Sequence, residues 1–439
     1  MKRATYLALR AFSALQHRLY ERLTVAGWLA LAGALAAAGV GIDTTRSMSY
    51  QLAAFLAALL ALAFLAAPLW RVRVSARREL PRYTTAGEAF EYRVVIENLG
   101  SRPLRGAALV EWLRDPRPGF AEWRSAHEPG EERRNWFDRT QGYFRWRWLI
   151  ERRTPEQPGE HALPEIAPAA SETVRMSLRP RRRGRIELAG LTLARTDALG
   201  LVRSLNRVAL AGRVIALPRR YRLPALALPG RRRFQQGGVA LAVTVGDSTE
   251  FVGLREYRPG DPLHKVDWKS TARRGTPIVR EYQDEFFERH ALILDTSTGR
   301  GEDACFEEAV AVAASFVYAI DTRECLLDLL FVGGELRTYT AGRGQMRLEH
   351  MLEVLAGVAP SRPEEFGALA RAVLAQRRSL SSCIAVLLAW DRERRAFVEA
   401  LARSGLEVRA LLVSEEEASA PHLTVLRPGQ IEAGLSRLQ

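Results

Sequence analysis

The chain has 439 residues, of which 47% are hydrophobic and 26% charged; this composition excludes an intrinsically disordered protein and fits two or three folded domains. The formal net charge of +14 is compatible with nucleic acid or an anionic membrane surface as partner. All but three of the 64 basic residues are arginine. This general preference for arginine indicates a compositional bias of the whole chain rather than a specific nucleic-acid function.

Two uncharged apolar segments near the N-terminus, residues 25–42 and 51–70, predict a transmembrane hairpin within residues 1–80. As helices they would span about 27 and 30 Å, enough to cross the hydrocarbon core of a bilayer. Basic residues flank the hairpin on its outer sides, so the positive-inside rule places both termini and the folded domains in the cytosol. The alternatives are a buried helical hairpin in a soluble protein and a cleaved signal peptide. The three cysteines are widely spaced and form no CxxC pair, which fits a reducing compartment and excludes a disulfide scaffold.

Residues 81–225 predict a β-sandwich domain, because apolar residues recur with a period of two. One such face contains Phe90, Tyr92, Val94 and Ile96. An insertion at 115–170 contains the run YFRWRWLIERR, in which aromatic residues alternate with arginine. We expect this run to form a strand with an aromatic core face and a solvated basic face. A strand that lies on lipid headgroups or stacks on single-stranded nucleic acid is the alternative.

From residue 290 to the C-terminus, continuous apolar strands alternate with amphipathic helices. This pattern predicts a mainly parallel sheet covered on both faces. Ligands of such folds bind at the carboxyl ends of the strands.

Oxygen-bearing side chains follow two of these strands. Asp295 and Ser297 follow HALIL, and Asp391 follows SSCIAVLLAW. Two carboxylates and hydroxyls at one sheet edge are the ligand set of a hard cation, so these residues predict a tentative Mg²⁺ site, to which Thr338 or Thr340 could add a contact. The alternative is that Asp295 and Asp391 cap the following helices and accept backbone N–H groups.

The segment between the two halves, residues 246–286, resembles the signature of the bacterial family called domain of unknown function 58. The resemblance rests on the runs LREYRPGD (254–261), VDWKSTAR (266–273) and VREY (279–282). It extends upstream to RRGRIELAGLTLARTDALGLVRS and to the paired apolar segments, and so covers most of the chain.

This resemblance implies an α/β von Willebrand factor A-like domain (Rossmann-like, with a mainly parallel sheet) at 290–439, behind a connecting segment at 226–289, a β-sandwich and a two-helix transmembrane hairpin. Members of the family are typically encoded beside MoxR-type AAA+ ATPases and transglutaminase-like membrane proteins, and are thought to assist the assembly or maturation of complexes. The resemblance therefore implies a bacterial inner-membrane location. The A-domain metal motif, Asp-x-Ser-x-Ser, has Gly299 in place of its second serine, so the resemblance leaves the Mg²⁺ site incomplete.

The signature predicts a turn, because Pro259 fixes φ and Gly260 allows a positive φ. Three interpretations of its charged residues remain open: an ion-pair network that fixes the segment, an exposed Arg-Trp patch that docks a protein partner, and a catalytic or metal cluster of Asp261, His264 and Asp267. The residues concerned in the first two are Arg255, Glu256, Tyr257, Gly260, Asp261, Asp267, Trp268, Lys269, Arg273, Arg280 and Glu281.

The sequence contains none of the common enzyme motifs for nucleotide phosphates, zinc hydrolysis or a nucleophile elbow. We therefore expect a non-enzymatic, membrane-anchored adaptor or scaffold that works with a MoxR-type AAA+ ATPase and a transglutaminase-like membrane protein, without specific nucleic-acid binding. The alternatives are a divalent-metal-dependent enzyme that uses Asp295 and Asp391, and nucleic-acid or lipid binding through the arginine-rich surface.

Overall fold

The structure is a computed structural model that describes residues 2–40, 47–70, 72–128, 130–157, 159–224, 249–261, 263–284, 288–298, 303–320, 325–342 and 348–438. Gly299 and the first part of the predicted connecting segment lie outside these residues. The chain forms two compact units. Unit 1 comprises residues 1–221, 298–315 and 352–360, and unit 2 comprises residues 222–297, 316–351 and 361–439.

Unit 1 begins with three helices: α1 (Lys2–Arg22), α2 (Val25–Val40) and α3 (Ser47–Ala66). Met48–Leu69 is long and apolar enough to cross a membrane, with a mean hydropathy of 2.5 and little of its surface buried. Helix α2 is also apolar, but its 16 residues span about 24 Å, less than the ~30 Å of a bilayer core. Among the described residues, therefore, only one of the two helices of the predicted hairpin, the one that contains α3, is long enough to cross a membrane.

The ends of these helices are hydrogen-bonded to the β-domain that follows. Leu23 pairs with Val202 in an isolated antiparallel bridge, and the Thr24 hydroxyl donates to the carbonyl oxygens of residues 200 and 201. The Ser204 hydroxyl donates to the Ala67 carbonyl oxygen at 2.6 Å. A Cβ at Gly27 would lie 2.1 Å from the Leu201 carbonyl oxygen, so only glycine allows this approach. Backbone contacts thus fix the helices to the domain.

The β-domain of unit 1 contains two sheets that share one apolar core. Its elements are β1 (Val74–Glu79), β2 (Tyr83–Thr85), β3 (Phe90–Asn98), β4 (Ala107–Leu113), α4 (Phe120–Ser125), α5 (Trp136–Gln141), α6 (Tyr143–Arg153), β5 (His161–Ala162), β6 (Ser171–Leu178), β7 (Gly184–Thr196) and β8 (Arg203–Leu217). The strand orders are β1-β3-β6 and β2-β8-β7-β4-β5. Alternate residues of β3, including the predicted Tyr92, Val94 and Ile96, meet Leu109 of β4 and Leu191 of β7 in the core. The result is a β-sandwich-like domain.

A buried ion pair lies in this domain. The Arg78 and Glu111 side chains are only 2% and 1% exposed, and the guanidinium contacts the carboxylate. The Tyr92 hydroxyl donates to the second carboxylate oxygen at 2.7 Å. Burial raises the pKa of Glu111, and the attraction of Arg78 opposes that rise.

The insertion is helical, and the predicted strand over YFRWRWLIERR is wrong. This run forms α6, in which Trp146 and Leu149, three residues apart, are buried against Trp123 and Tyr6. The period is therefore that of a helix, since residues i and i+3 share a helix face. The Arg147–Glu151 pair at i and i+4, with an N–O distance of 3.0 Å, supports the same conformation.

The remaining elements are β9 (Thr249–Glu256), α7 (Trp268–Arg274), β10 (Ile278–Asp284), β11 (Glu288–Leu294), α8 (Asp303–Ala319), β12 (Cys325–Gly333), β13 (Glu335–Ala341), α9 (Leu348–Gly357), α10 (Phe366–Gln376), β14 (Ser382–Leu387), α11 (Arg392–Arg403), β15 (Glu407–Val413), β16 (Leu423–Leu426) and α12 (Ile431–Leu435). Strands β9 and β10 form a separate antiparallel hairpin.

The main sheet of unit 2 has the order β13-β12-β11-β14-β15-β16. All neighbouring pairs are parallel except β12 and β13. Apolar side chains of α10 and α11, among them Phe366 and Phe397, pack on strand residues such as Ile293 and Ala385. The strands are buried nearly throughout, as expected for a mainly parallel sheet covered by helices. This mixed α/β arrangement brings the carboxyl ends of β11 and β14 to one edge.

Candidate functional site

Asp295 lies directly after β11 and is completely buried. Its Oδ1 accepts the Ser297 N–H at 2.9 Å. Its Oδ2 accepts the Leu388 N–H at 3.1 Å and the Arg394 Nε–H at 2.6 Å. Because β14 ends at Leu387, the carboxylate joins the ends of two neighbouring strands. Both of its oxygens are engaged by the protein.

Arg394 is the centre of this edge, and the sequence interpretation did not identify it. Its side chain is only 5% exposed and its guanidinium carbon lies 4.5 Å from the centroid of the Phe366 ring. Besides Asp295, it contacts the Asp391 carboxylate and donates to the Ser297 carbonyl oxygen at 3.2 Å. Burial alone would lower the pKa of Arg394, but the hydrogen bond and charge of Asp295 outweigh it and raise that pKa. The guanidinium therefore stays charged between two carboxylates.

Asp391 is the N-cap of α11. Its Oδ1 accepts the backbone N–H of Arg394 at 2.9 Å, while its side chain is 48% exposed. Asp391 therefore caps the following helix, which was the alternative to metal binding. Asp391 and Asp295 do converge, as the strand ends predicted, but they converge on an arginine.

The hydroxyl groups near Asp295 form hydrogen bonds with other groups of the same chain. The Thr296 hydroxyl donates to the Val332 carbonyl oxygen at 2.6 Å and lies 2.9 Å from the Ser361 hydroxyl. The Ser297 hydroxyl lies 3.3 Å from that same Ser361 oxygen. Thr340 does not join this site, because its hydroxyl donates to Asp328 within the β12–β13 pair.

Thr338, the other candidate for an additional contact, is an exposed residue of β13 opposite Leu330. The described residues contain no group of three histidine, cysteine, aspartate or glutamate side chains that could hold a metal ion. The observed donor set therefore fits an arginine cation and does not fit a bound Mg²⁺, whose ligands would be the same carboxylate oxygens.

The family signature folds as a small hairpin made of β9, β10, α7 and the turn between them, which we call the signature hairpin (residues 249–284). Val266, Ile278 and Val279 are buried. At the turn, Gly260 has φ +107°, as predicted, and the Asp261 N–H donates to the Arg258 carbonyl oxygen at 3.0 Å.

Two ion pairs stabilise this hairpin. Arg255 donates two hydrogen bonds of 2.7 Å to Asp261, and these, with the Arg258 N–H, lower the pKa of Asp261 to about 2. Arg280 contacts Asp267 at 3.2 Å, and the Ser270 hydroxyl, with Arg280, lowers the pKa of Asp267. Both ion pairs therefore join residues within the signature hairpin, as in the first of the three interpretations.

The remaining signature residues differ in exposure. Trp268 is 68% exposed and lies at the start of α7. Tyr257 is half-buried, and its N–H donates to the Pro277 carbonyl oxygen at 2.9 Å. Residues with exposed side chains are Glu256, Lys269 and Arg273. The side chains of Glu281 and His264 lie outside the described residues, so the cluster of Asp261, His264 and Asp267 is not seen as a whole; its two aspartates pair with arginines.

Several arginines of unit 1 pair with acidic residues. In the insertion, Arg145 contacts Glu131 and Arg153 contacts Glu122. Outside the insertion, Arg183 is only 6% exposed and contacts Glu307, and it donates to the Val358 carbonyl oxygen at 2.6 Å. Nucleic-acid or lipid binding through the arginine-rich surface stays an alternative prediction.

The fold and these contacts define unit 2 as a mixed α/β domain with a charge cluster at the carboxyl edge of its sheet and a signature hairpin. Residues 253–428 match the family model described as "Protein of unknown function DUF58", which confirms the family resemblance over this part of the chain. The chain is also 29% identical over 126 residues to the uncharacterized protein YeaD of Bacillus subtilis (strain 168). That match covers 28% of this chain and 31% of the relative, so it spans about a third of the relative's length.

A search of solved structures gives a CARDB domain of a Pyrococcus furiosus protein, determined by NMR. It covers 32% of this chain and 94% of the domain, with 11% identity and a TM-score of 0.14. A score this low carries no conclusion about the fold.

Proposed function

We propose that this protein is a membrane-anchored, non-enzymatic adaptor that docks a protein partner through the signature hairpin. The observation that carries the proposal is the exposure of Trp268 on a hairpin held by ion pairs. Trp268 is 68% exposed, and two further apolar side chains of this hairpin, Leu263 and Leu254, are 68% and 45% exposed, all in a part of the chain that matches the family model. An exposed tryptophan on an element held in place by ion pairs is typical of the centre of a protein interface.

The partner we propose is a MoxR-type AAA+ ATPase, acting with a transglutaminase-like membrane protein in the assembly or maturation of complexes. This part rests on the family resemblance. We also assign to residues 290–439 a von Willebrand factor A-like fold, which the mainly parallel sheet supports. In this proposal the hairpin, rather than the buried sheet-edge cluster, makes the primary contact.

Substitution of Trp268 by alanine is expected to weaken ATPase binding about 30-fold, since a tryptophan at the centre of an interface contributes about 2 kcal/mol or more. The measurement is binding of a purified MoxR-type ATPase from the same organism to the detergent-solubilised full chain. Trp136→Ala is the matched control, because Trp136 is 71% exposed and belongs to the insertion of unit 1.

Equal binding by the Trp268→Ala and wild-type proteins would place the docking surface elsewhere. If the wild-type protein binds no such ATPase, the proposal that a MoxR-type ATPase is the partner is refuted. A melting curve for each variant separates loss of contact from loss of folding.

We further propose a bacterial inner-membrane location with two spans, residues 25–42 and 51–70, and with both termini and the folded domains in the cytosol. The apolar surface of α3 and the basic flanking residues support this topology. Helix α1 adds support, because it carries five basic residues and also exposes the apolar side chains of Leu7, Phe12 and Leu15. Such a helix suits the headgroup region of an anionic membrane.

A reporter experiment tests this topology. Alkaline phosphatase inserted between Thr44 and Thr45 should be active, because this short segment would lie outside the membrane. The same enzyme fused after the C-terminus should be inactive, whereas a fluorescent protein fused there should be bright. An inactive reporter at Thr44 would refute the transmembrane hairpin, and an active one at the C-terminus would refute the cytosolic location of the folded domains.

A further inference from the structure

We propose that the Arg394 guanidinium takes the place of a divalent cation at the carboxyl edge of the sheet. It compensates the charges of Asp295 and Asp391, so that this cluster binds no metal ion.

The carboxylate oxygens of the cluster are already engaged by the chain. A cation in this position would need the oxygens of Asp295, which is completely buried. Those oxygens already accept two backbone N–H groups and the Arg394 Nε–H, at distances of 2.6–3.1 Å. Asp391 is engaged in the same way, by the Arg394 backbone and its guanidinium. A metal ion would have to replace the arginine at both carboxylates.

The Arg394 guanidinium is held in place from several sides. It contacts two carboxylates and the Ser297 carbonyl oxygen, and it packs over the Phe366 ring. Arg394 shares the buried face of α11 with Phe397, Val398 and Leu401. Loss of the guanidinium from this position would leave the buried Asp295 carboxylate without a counter-charge, which is strongly unfavourable. A guanidinium is also charged at every physiological pH, so it compensates the carboxylate charges of Asp295 and Asp391 throughout that range.

The hydroxyl groups beside Asp295 are also engaged by the chain. The Thr296 and Ser297 hydroxyls lie within hydrogen-bond distance of the Ser361 hydroxyl, and the Thr296 hydroxyl also donates to the Val332 carbonyl oxygen. A metal ion would therefore compete with protein partners for these oxygens as well.

Manganese binding to the detergent-solubilised full chain tests the proposal, because free Mn²⁺ gives an electron paramagnetic resonance signal that is lost on binding. The wild-type protein should leave the signal of millimolar Mn²⁺ unchanged. The Arg394→Ala variant should open the space between the carboxylates and bind about one ion per chain. The Arg394→Ala/Asp295→Asn double variant should lose that binding again.

Stoichiometric Mn²⁺ binding by the wild-type protein that Asp295→Asn abolishes would overturn the proposal. A folded Arg394→Ala protein that binds no ion would also overturn it, since the arginine would then not occupy a cation site. If Arg394→Ala does not fold, Arg394→Gln, which keeps part of the hydrogen bonding without the charge, replaces it in the same comparison. The melting temperature of the wild-type protein should be the same in Mg²⁺ and in EDTA.

Discussion

Replacement of Arg394 by methionine is expected to lower the free energy of unfolding of unit 2 by about 3–5 kcal/mol. Methionine fills much of the volume of the arginine side chain, so the loss comes from charge rather than from a cavity. The Asp295 carboxylate, completely buried, would keep two backbone N–H donors and lose its counter-charge. Urea denaturation of the full-length protein in detergent, followed by tryptophan fluorescence, measures the effect.

Arg392→Met is the matched control, because Arg392 lies in the same first turn of α11 and is exposed. Its effect should stay within about 0.5 kcal/mol. The Arg394→Met/Asp295→Asn double variant should recover part of the lost stability, because the buried charge is gone. If Arg394→Met is as stable as Arg392→Met, Arg394 does not compensate the charge of Asp295.

The second large effect is expected in the β-domain, where Arg78→Met should lower the free energy of unfolding of unit 1 by about 3–5 kcal/mol. Glu111, 1% exposed, would lose its ion-pair partner and keep only the Tyr92 hydroxyl. Arg77→Met is the control, since Arg77 is 80% exposed on the neighbouring position of the same strand. Its surface pair with Glu79 contributes at most about 1 kcal/mol.

The loss in Arg78→Met should depend on pH in a defined direction. Burial already raises the pKa of Glu111, and removal of Arg78 removes the attraction that opposes that rise. A raised pKa in the folded state means that the folded protein binds the proton more tightly, so stability falls as pH rises above the ordinary glutamate pKa. The difference between variant and wild type should therefore be smaller at pH 5 than at pH 8. A difference independent of pH would show that the Glu111 charge is not responsible.

Local periodicity predicted the strands well and failed where two periods overlapped. The period-two pattern of Phe90 to Ile96 forms β3 as predicted. In YFRWRWLIERR the aromatic residues also alternate, yet the run is helical, because Trp146 and Leu149 fit one helix face and Arg147 pairs with Glu151. The charged i, i+4 pair was the signal that could have distinguished the helix.

The candidate site was predicted in its position but not in its chemistry. The carboxyl ends of parallel strands meet at one edge, so the convergence of Asp295 and Asp391 followed from topology. The cation between them could have been recognised from the next helix, because Arg394, Phe397, Val398 and Leu401 recur at the spacing of a single face. An arginine on an otherwise apolar face requires a buried acidic partner. The contact between α11 and Asp295 is a tertiary one, and no local pattern specifies it.

Hydrogen bonds between the helix ends and the β-domain restrict the movement of this domain relative to the helices. Leu23, Thr24 and Ala67 are bonded directly to residues 200–204. A domain on a long linker samples many orientations, and each binding event must select one of them. In the proposed membrane-anchored protein, a domain held in this way would keep one orientation relative to the membrane plane, which would reduce the orientational entropy lost on docking. It would then bind only partners whose binding surface lies at a matching distance and angle from the membrane.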